Sequence, residues 1–124
     1  MNLRKVNILK AKPLTVEPRM ISSELLGERL RLLRIEKELT AERLAELSDI
    51  SQGYLSLVER GKRRPTAPVL DRLCEALETS ATLIQDPSLD VEKLTKLSSV
   101  LEALSLLDAE GLDFVHQMAR KLAP

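Results

Sequence analysis

The 124-residue sequence predicts an all-α protein. Leucines recur three and four positions apart through most of the chain, which is the spacing of residues on one helix face. After residue 20 no segment shows the alternation of apolar and polar residues that marks a strand, and glycine is scarce, with four in the chain. The chain has one Tyr, one Phe and no Trp, so leucine and alanine must supply most of the core.

Residues 1–22 form the first predicted unit, a basic N-terminal arm. The arm contains Pro13 and Pro18 and has no helical period. Residues 1–20 carry five basic side chains and one acidic side chain, although the whole chain has a formal net charge of +0. Charge that is separated along a chain points to separate tasks for its segments.

A first helix is predicted from Ser23 to about Lys37, because Leu26, Leu30 and Leu33 share one face.

Two short helices joined by a tight turn are predicted next. Thr40 is a good N-cap for the second helix, which ends near Leu47, and Ser51 is a good N-cap for the third. The third helix should end just before Gly61, which suits the left-handed position after a helix. Asp49 fits the turn between the two helices, because Asp tolerates the left-handed conformation better than most residues.

Two further helices complete the second predicted unit, residues 23–85. Thr66 caps the fourth, whose first turn tolerates Pro68, and Ser80 starts a short fifth. The triplet Asp86-Pro87-Ser88 then breaks the helical pattern and predicts a boundary. Residues 86–124 form the third unit, with two more amphipathic helices, four basic side chains and seven acidic ones.

The third helix has two unlike faces on a helical wheel. Leu55 and Val58 point to one side, as core residues do. The opposite side collects Gln52, Gly53, Ser56, Leu57 and Arg60. Glycine inside a helix costs about 1 kcal/mol relative to alanine, so its presence suggests that the backbone must approach another surface closely. Four basic residues in five positions follow this face: Arg60, Lys62, Arg63 and Arg64.

Two short helices, a tight turn and a small outer face on the second helix indicate a helix-turn-helix. Residues 26–84 resemble the phage-repressor (Cro-like, lambda-repressor-like) helix-turn-helix family of transcriptional regulators. The resemblance is carried by LGERLRLLR (26–34), LTAERLAELSDIS (39–51), GYLSLVERGKRRP (53–65) and VLDRLCEAL (69–77). It implies a five-helix lambda-repressor-like DNA-binding domain, here with two additional C-terminal helices and an N-terminal arm.

The resemblance implies that the third helix lies in the DNA major groove. Glutamine can bind adenine through two hydrogen bonds, and leucine can meet a thymine methyl group. The implied base contacts are Gln52, Gly53, Ser56 and Leu57. The implied phosphate contacts are Thr40, Arg43, Ser51, Tyr54, Arg60, Lys62, Arg63 and Arg64. For Tyr54, packing against the core is an equally open interpretation.

Other residues gain roles from the same resemblance. Arg34 and Glu59 match a family ion pair that orients the third helix. The segment KAKPLT resembles the basic arm of the lambda repressor, so Lys10 and Lys12 are candidate DNA contacts; alternatively, the arm is disordered or covers a second leucine stripe on the first helix. The sequence also departs from the family, which often has glutamine at position 41 and usually has glycine at positions 38, 49 and 78.

The apolar stripes of residues 86–124 must be buried somewhere, and regulators of the resembled family act as dimers on paired half-sites. We therefore expect a C-terminal dimerisation segment, with packing against the first or fifth helix as the alternative. The expected dimerisation residues are Leu97, Leu101, Leu104, Leu112, Val115, Met118 and Leu122.

The predicted function is that of a sequence-specific, double-stranded-DNA-binding transcriptional regulator, a homodimeric repressor on an inverted-repeat operator. The alternative is an antitoxin or protein-partner adaptor that uses the same domain for autoregulation. We expect no enzyme activity, because His116 and Asp113 have no matching nucleophile. We expect no cofactor or metal, since one His and one Cys do not make a familiar zinc site. No apolar run approaches the ~20 residues that span a bilayer, so a cytoplasmic protein is expected.

Overall fold

The computed structural model describes residues 20–124, so Lys10, Lys12 and nearly all of the predicted arm lie outside the described residues. Within residues 20–124 all regular secondary structure is helical, which confirms the predicted fold class. The helices are α1 (Ser23–Glu36), α2 (Ala41–Leu47), α3 (Gln52–Glu59), α4 (Ala67–Ala76), α5 (Ala81–Ile84), α6 (Val91–Leu104) and α7 (Ala109–Leu122). None of these helices is long and apolar enough to cross a membrane.

Side-chain caps fix where each of these helices begins. In every one, a side-chain oxygen of the residue before the helix accepts a hydrogen bond from a backbone N–H of the first turn. Such a cap contributes about 1 kcal/mol, because it satisfies an N–H that has no partner inside the helix. The cap residues are Ser22, Thr40, Ser51, Thr66, Ser80, Asp90 and Asp108.

The first four helices all end in a Schellman motif. In α3 the N–H of Gly61 donates to Val58 O at 3.0 Å and that of Lys62 to Leu57 O at 2.8 Å. The residue that reverses the chain has a positive φ in each case: Glu38 (57°), Asp49 (56°), Gly61 (75°) and Glu78 (55°). Three of the four motifs therefore place a non-glycine residue where glycine is strongly preferred. These are the three positions at which the resembled family usually has glycine.

A leucine-rich core joins α1–α5 to the start of α6. The most deeply buried large side chains include Leu26, Leu30, Leu44, Leu55, Leu73, Leu77, Ile84 and Leu94. Cys74 belongs to this core and is 2% exposed, and burial raises the pKa of its thiol to about 12. The cysteine therefore stays protonated and serves as a small packing residue.

Two residues that the sequence analysis did not single out shape this core. Gly27 of α1 lies against α3, where an added β-carbon would come within 2.3 Å of the Val58 carbonyl oxygen. Arg29 of α1 is 2% exposed and donates to backbone carbonyls on both sides of the predicted boundary at residues 85/86. The boundary stays a prediction, but the chain before and after it packs on one core.

The last helix differs from the others, because α7 contains no buried residue. Its apolar side chains form a continuous face, on which Leu112 and Met118 are 42% and 41% exposed and Phe114 is 63% exposed. A helix with such a face usually buries it against another element. No element among residues 20–124 covers this face.

Candidate nucleic-acid interface

The third helix presents opposite faces to the core and to solvent. Leu55 and Val58 are 0% and 1% exposed and hold the helix on the core. Gln52, Gly53 and Ser56 are exposed on the other side. This arrangement leaves a row of short side chains on the outer surface of a helix whose inner surface is fully packed.

Gly53 is surrounded by open space. A β-carbon added at this position would meet none of the described atoms within 4 Å. Packing within residues 20–124 therefore does not require a glycine here, in contrast to Gly27. The absence of a side chain instead leaves the α3 backbone open to close approach by a second molecule.

Tyr54 and Leu57 lie at the two edges of the outer face. Tyr54 is half-buried and packs against the core, so the structure supports the packing interpretation of this residue. Leu57 is also half-buried, and its carbonyl accepts the N–H groups that close the end of α3. Part of the Leu57 side chain remains accessible beside Gly53 and Ser56.

A bidentate ion pair sets the orientation of α3. The Arg34 Nε lies 2.7 Å from Glu59 Oε2, and its Nη2 lies 3.0 Å from Oε1. The Arg34 Nη1 also donates to Leu39 O at 3.0 Å, in the turn before α2. The hydrogen bond to Glu59 raises the pKa of Arg34. A single side chain of α1 thus holds both helices of the helix-turn-helix.

Two N-caps expose hydroxyl groups beside the outer face. The oxygens of Thr40 and Ser51 each accept a backbone N–H at 3.0 Å, from Arg43 and Tyr54 respectively. A capping hydroxyl still has its own hydrogen to donate, for example to a phosphate oxygen. Arg43 forms an exposed ion pair with Glu46, which is weak enough to exchange for another anion.

The basic loop after α3 contains side chains of two kinds. Arg60 donates to Ser56 O at 3.3 Å, and Arg60, Lys62 and Arg63 are exposed. Arg64 is half-buried and donates from Nη1 to Ile21 O at 2.8 Å. This bond fixes the chain just before α1 and turns the guanidinium inward. The bond gives Arg64 a structural role, and its expected phosphate contact stays a prediction.

The turn between α2 and α3 is held by an arginine that sequence reasoning missed. Arg72 of α4 donates from Nε to Ser48 O at 2.8 Å. Ser48 is the C-cap of α2, so this bond anchors the point at which the chain turns toward α3. An isolated arginine on an exposed helix face gives no sequence signal for such a role.

The expected dimerisation residues are half-buried or exposed side chains of α6 and α7. Leu97, Leu104 and Val115 are half-buried. The others are exposed: Leu101 (40%), Leu112 (42%), Met118 (41%) and Leu122 (80%). Leu106, in the turn between α6 and α7, and Phe114 of α7 are also exposed, at 83% and 63%, and the sequence analysis did not single them out.

Comparison with known proteins matches the same part of the chain. A family model described as a helix-turn-helix domain matches residues 25–86. The uncharacterized HTH-type transcriptional regulator y4dJ of Sinorhizobium fredii is 42% identical over 65 residues, which cover 52% of this chain and 84% of that protein. The HTH-type transcriptional repressor RghR of Bacillus subtilis is 43% identical over 56 residues, which cover 44% of this chain but 42% of that protein.

A solved structure extends the likeness toward the C-terminus. A chain of a SinR protein/SinI protein complex superposes with a TM-score of 0.51 and 26% identity, covering 79% of this chain and 99% of that chain. The fold, the packing of α3 and the family match over half of the chain agree. The chain therefore belongs to the helix-turn-helix family of transcriptional regulators, and its five-helix core is a DNA-binding domain of that family.

Proposed function

We propose that the protein is a sequence-specific repressor that binds an inverted-repeat DNA operator as a homodimer, with α3 in the major groove. The observation that carries this proposal is the outer face of α3, where Gln52, Gly53 and Ser56 are exposed while Leu55 and Val58 are buried. A side chain of any bulk at position 53 would hold the helix away from the bases. The repressor role is proposed by similarity to the transcriptional repressor RghR.

Base reading is assigned to the outer face of α3. The Gln52 amide suits the paired acceptor and donor of adenine, and the Leu57 side chain suits a thymine methyl group. Gly53 allows the α3 backbone to approach the groove floor, and the Ser56 hydroxyl can donate to a base edge. None of these four residues carries a long charged side chain that would hold the helix out of the groove.

Phosphate binding is assigned to the residues around that face. The proposed contacts are Thr40, Arg43, Ser51, Tyr54, Arg60, Lys62, Arg63 and Arg64. Phosphate contacts set affinity and register, and they release counterions on binding. We therefore expect operator affinity to fall steeply with salt, in proportion to the number of cationic side chains engaged.

Dimerisation is assigned to α6 and α7. The uncovered apolar face of α7 and the outer leucines of α6 form a surface that a second copy of the chain would bury. A dimer with twofold symmetry requires an operator with matching symmetry, which is an inverted repeat.

The test is a charge placed on the outer face of α3. The operator is first selected by the wild-type protein from a pool of random duplexes. Leu57→Glu should then lower operator affinity at least a hundredfold, because a carboxylate would lie against bases and phosphates. Ile35→Glu is the matched control, since Ile35 is 48% exposed on α1 and lies outside the helix-turn-helix. Circular dichroism checks that both variants fold.

Wild-type affinity in the Leu57→Glu variant would show that α3 is not the recognition helix. Equal losses in both variants would instead indicate a general effect of added negative charge. Sedimentation equilibrium of the wild-type protein tests the dimer separately from DNA binding.

The second candidate function is binding of a protein partner, as in an antitoxin or adaptor protein. It is favoured by the solved neighbour, whose structure is that of a SinR protein/SinI protein complex, and by the uncovered face of α7. Co-purification of a stoichiometric partner from the native cell, lost on Phe114→Glu, would support it. A chain that purifies alone as a homodimer would contradict it.

A further inference from the structure

We infer that a set of contacts between α6 and the DNA-binding domain, here called the α6 clasp, sets the half-site spacing that the dimer accepts. The side chains of the clasp are Arg29, Lys37, Thr79, Ser98 and Glu102. The inference rests on the proposed dimer through α6 and α7. It assigns to residues far from α3 a role in choosing which operators are bound.

Arg29 forms the buried part of the clasp. Its Nη1 donates to Ile84 O at 2.9 Å and to Asp86 O at 2.8 Å, and its Nη2 donates to Leu89 O. A single guanidinium thus fixes three carbonyls of the segment that leads from α5 to α6. Because the side chain is 2% exposed, water does not compete for these bonds. The guanidinium therefore holds this segment at three points.

The packed surface of α6 forms a second part. Leu94 is 1% exposed within the core, and Ser98, one turn later, is 2% exposed. The Ser98 Oγ lies 2.7 Å from Thr79 Oγ1, which satisfies both hydroxyls in a half-buried position. This pair fixes α6 against rotation about its own axis.

Lys37 closes the clasp near the other end of α6. Its Nζ lies 2.8 Å from Glu78 Oε1 and also contacts the carboxylate of Glu102. The C-cap of α1, the turn after α4 and the last turns of α6 therefore meet at one ammonium group. The clasp holds α6 at its start, in its middle and near its end.

Helix α1 is the common support of both functional parts. It carries Gly27 and Arg34, which fix α3, and it carries Arg29 and Lys37, which fix α6. The orientation of α3 relative to α6 is therefore constant. In a dimer formed through α6 and α7, this constant orientation also fixes the distance and rotation between the two recognition helices.

Because the distance and rotation between the two α3 helices of the dimer are fixed, the geometry of DNA makes the dimer prefer one half-site spacing. Adding one base pair between half-sites moves them about 3.4 Å apart and rotates them by about 35°. A rigid dimer cannot follow both changes, whereas a dimer with loosened α6 segments can. The clasp residues are therefore positioning residues, which select operators by spacing without touching DNA.

The experiment measures affinity against spacing. The operator selected by the wild-type protein is altered by one, two or five base pairs at its centre. Wild-type affinity should fall at least tenfold for each one-base-pair change. The variant Lys37→Ala/Ser98→Ala should lose less than threefold for the same change while keeping the dimer mass. The matched control is Lys96→Ala/Ser99→Ala, which makes the same substitutions at exposed positions of α6 and should retain the wild-type profile.

Arg29→Met is the second variant. If it folds, its affinity should also depend only weakly on the spacing between half-sites. If it does not fold, the Lys37→Ala/Ser98→Ala variant decides alone. A sharp profile in every folded clasp variant would overturn the inference and leave the proposed dimeric regulator intact. A monomeric wild-type protein would overturn both proposals, whereas a wild-type dimer that binds the operator with no spacing preference would overturn the inference alone.

Discussion

A β-carbon added to Gly27 would lie 2.3 Å from the carbonyl oxygen of Val58 and 2.7 Å from that of Glu59. Both atoms belong to the backbone of α3, which cannot move aside as a flexible side chain can. The close approach of α1 to α3 therefore depends on a residue without a side chain. This contact and the Arg34–Glu59 ion pair together set the orientation of α3.

Gly27→Ala should lower the free energy of unfolding by about 1–3 kcal/mol, because the new methyl group forces the two helices apart. Helix propensity alone would favour alanine, so a loss of stability isolates the steric effect. Urea unfolding followed by circular dichroism measures it. An unchanged or raised midpoint would mean that α1 and α3 are not in such close contact.

Gly53→Ala is the matched comparison on α3. The added methyl group meets open space, so stability should stay the same or rise by up to about 1 kcal/mol. Operator affinity should nevertheless fall about tenfold, or about 1.4 kcal/mol, if the backbone at this position meets the bases. Titration of labelled operator gives the affinity. Full affinity together with higher stability would remove Gly53 from the interface.

The Arg34–Glu59 pair should show strong coupling in a double-mutant cycle. The two side chains are 15% and 8% exposed, so removal of one leaves the other charge poorly solvated. Arg34→Met or Glu59→Leu should each lower the free energy of unfolding by about 3 kcal/mol, and the double variant should lose much less than the sum. Additive losses would indicate that the two side chains act independently.

Glycine at the left-handed helix ends should stabilise the protein. A residue with a β-carbon pays about 1–2 kcal/mol in this conformation, part of which is offset by the greater entropy of glycine in the unfolded chain. Glu38→Gly and Asp49→Gly should each raise the free energy of unfolding by about 0.5–1 kcal/mol. Glu78→Gly should gain less, because it removes the bond from Lys37.

The control for this series is Gly61→Ala, where φ is +75° and the new β-carbon would meet the backbone of Glu24 at 2.7 Å. That variant should be clearly destabilised, by more than the glycine variants gain. Thermal unfolding of all four proteins under one condition makes the comparison. Destabilisation by Glu38→Gly and Asp49→Gly would contradict the left-handed assignment at those positions.

The α6 clasp should weaken at acid pH. The hydrogen bond from Lys37 lowers the pKa of Glu102 below its ordinary value of 4.5. In the unfolded chain this carboxyl regains its ordinary pKa, so the unfolded state takes up the proton first as the pH falls. The contribution of Glu102 to stability is therefore complete above pH 4.5 and is lost as the pH falls through the lowered value.

The free energy of unfolding should be measured from neutral to acid pH for the wild type and for Glu102→Gln. The wild type should be more stable by a constant amount near neutral pH, and this difference should shrink in acid. When Lys37 is replaced by Met, Glu102→Gln should no longer change how the free energy of unfolding depends on acid pH. A difference that persists at the lowest pH would show that Glu102 stabilises the protein by packing and not by its charge.

The sequence predicted the parts of the fold that depend on local spacing. Leucine periodicity placed α1, and the hydroxyl-bearing caps Thr40, Ser51, Thr66 and Ser80 placed the next four helices, because both signals lie within a few residues of the element they define. Gly61 at the end of α3 was predicted for the same reason. The all-α fold class and the helix-turn-helix family followed from these signals and are confirmed.

Contacts between distant segments were not predictable in the same way. Nothing around Arg29 or Arg72 distinguishes them from exposed arginines, because their carbonyl partners lie 55 and 24 residues away in sequence. The bond from Arg64 to Ile21 O was equally unpredictable, because the sequence shows Arg64 only as one of several cations in a basic loop. The assignment of base and phosphate contacts stays a prediction.

Helix α3 has a packed face and an open face, so if α3 reads DNA as proposed, its DNA preference is separable from its folding. Gln52, Gly53 and Ser56 are exposed, so a library that varies them should leave the buried Leu55 and Val58 and the ion pair of Glu59 undisturbed. Under the proposed binding mode, new operator specificities would therefore be selected with little loss of stability. The same separation would let duplicated copies of the gene diverge in target while keeping one scaffold.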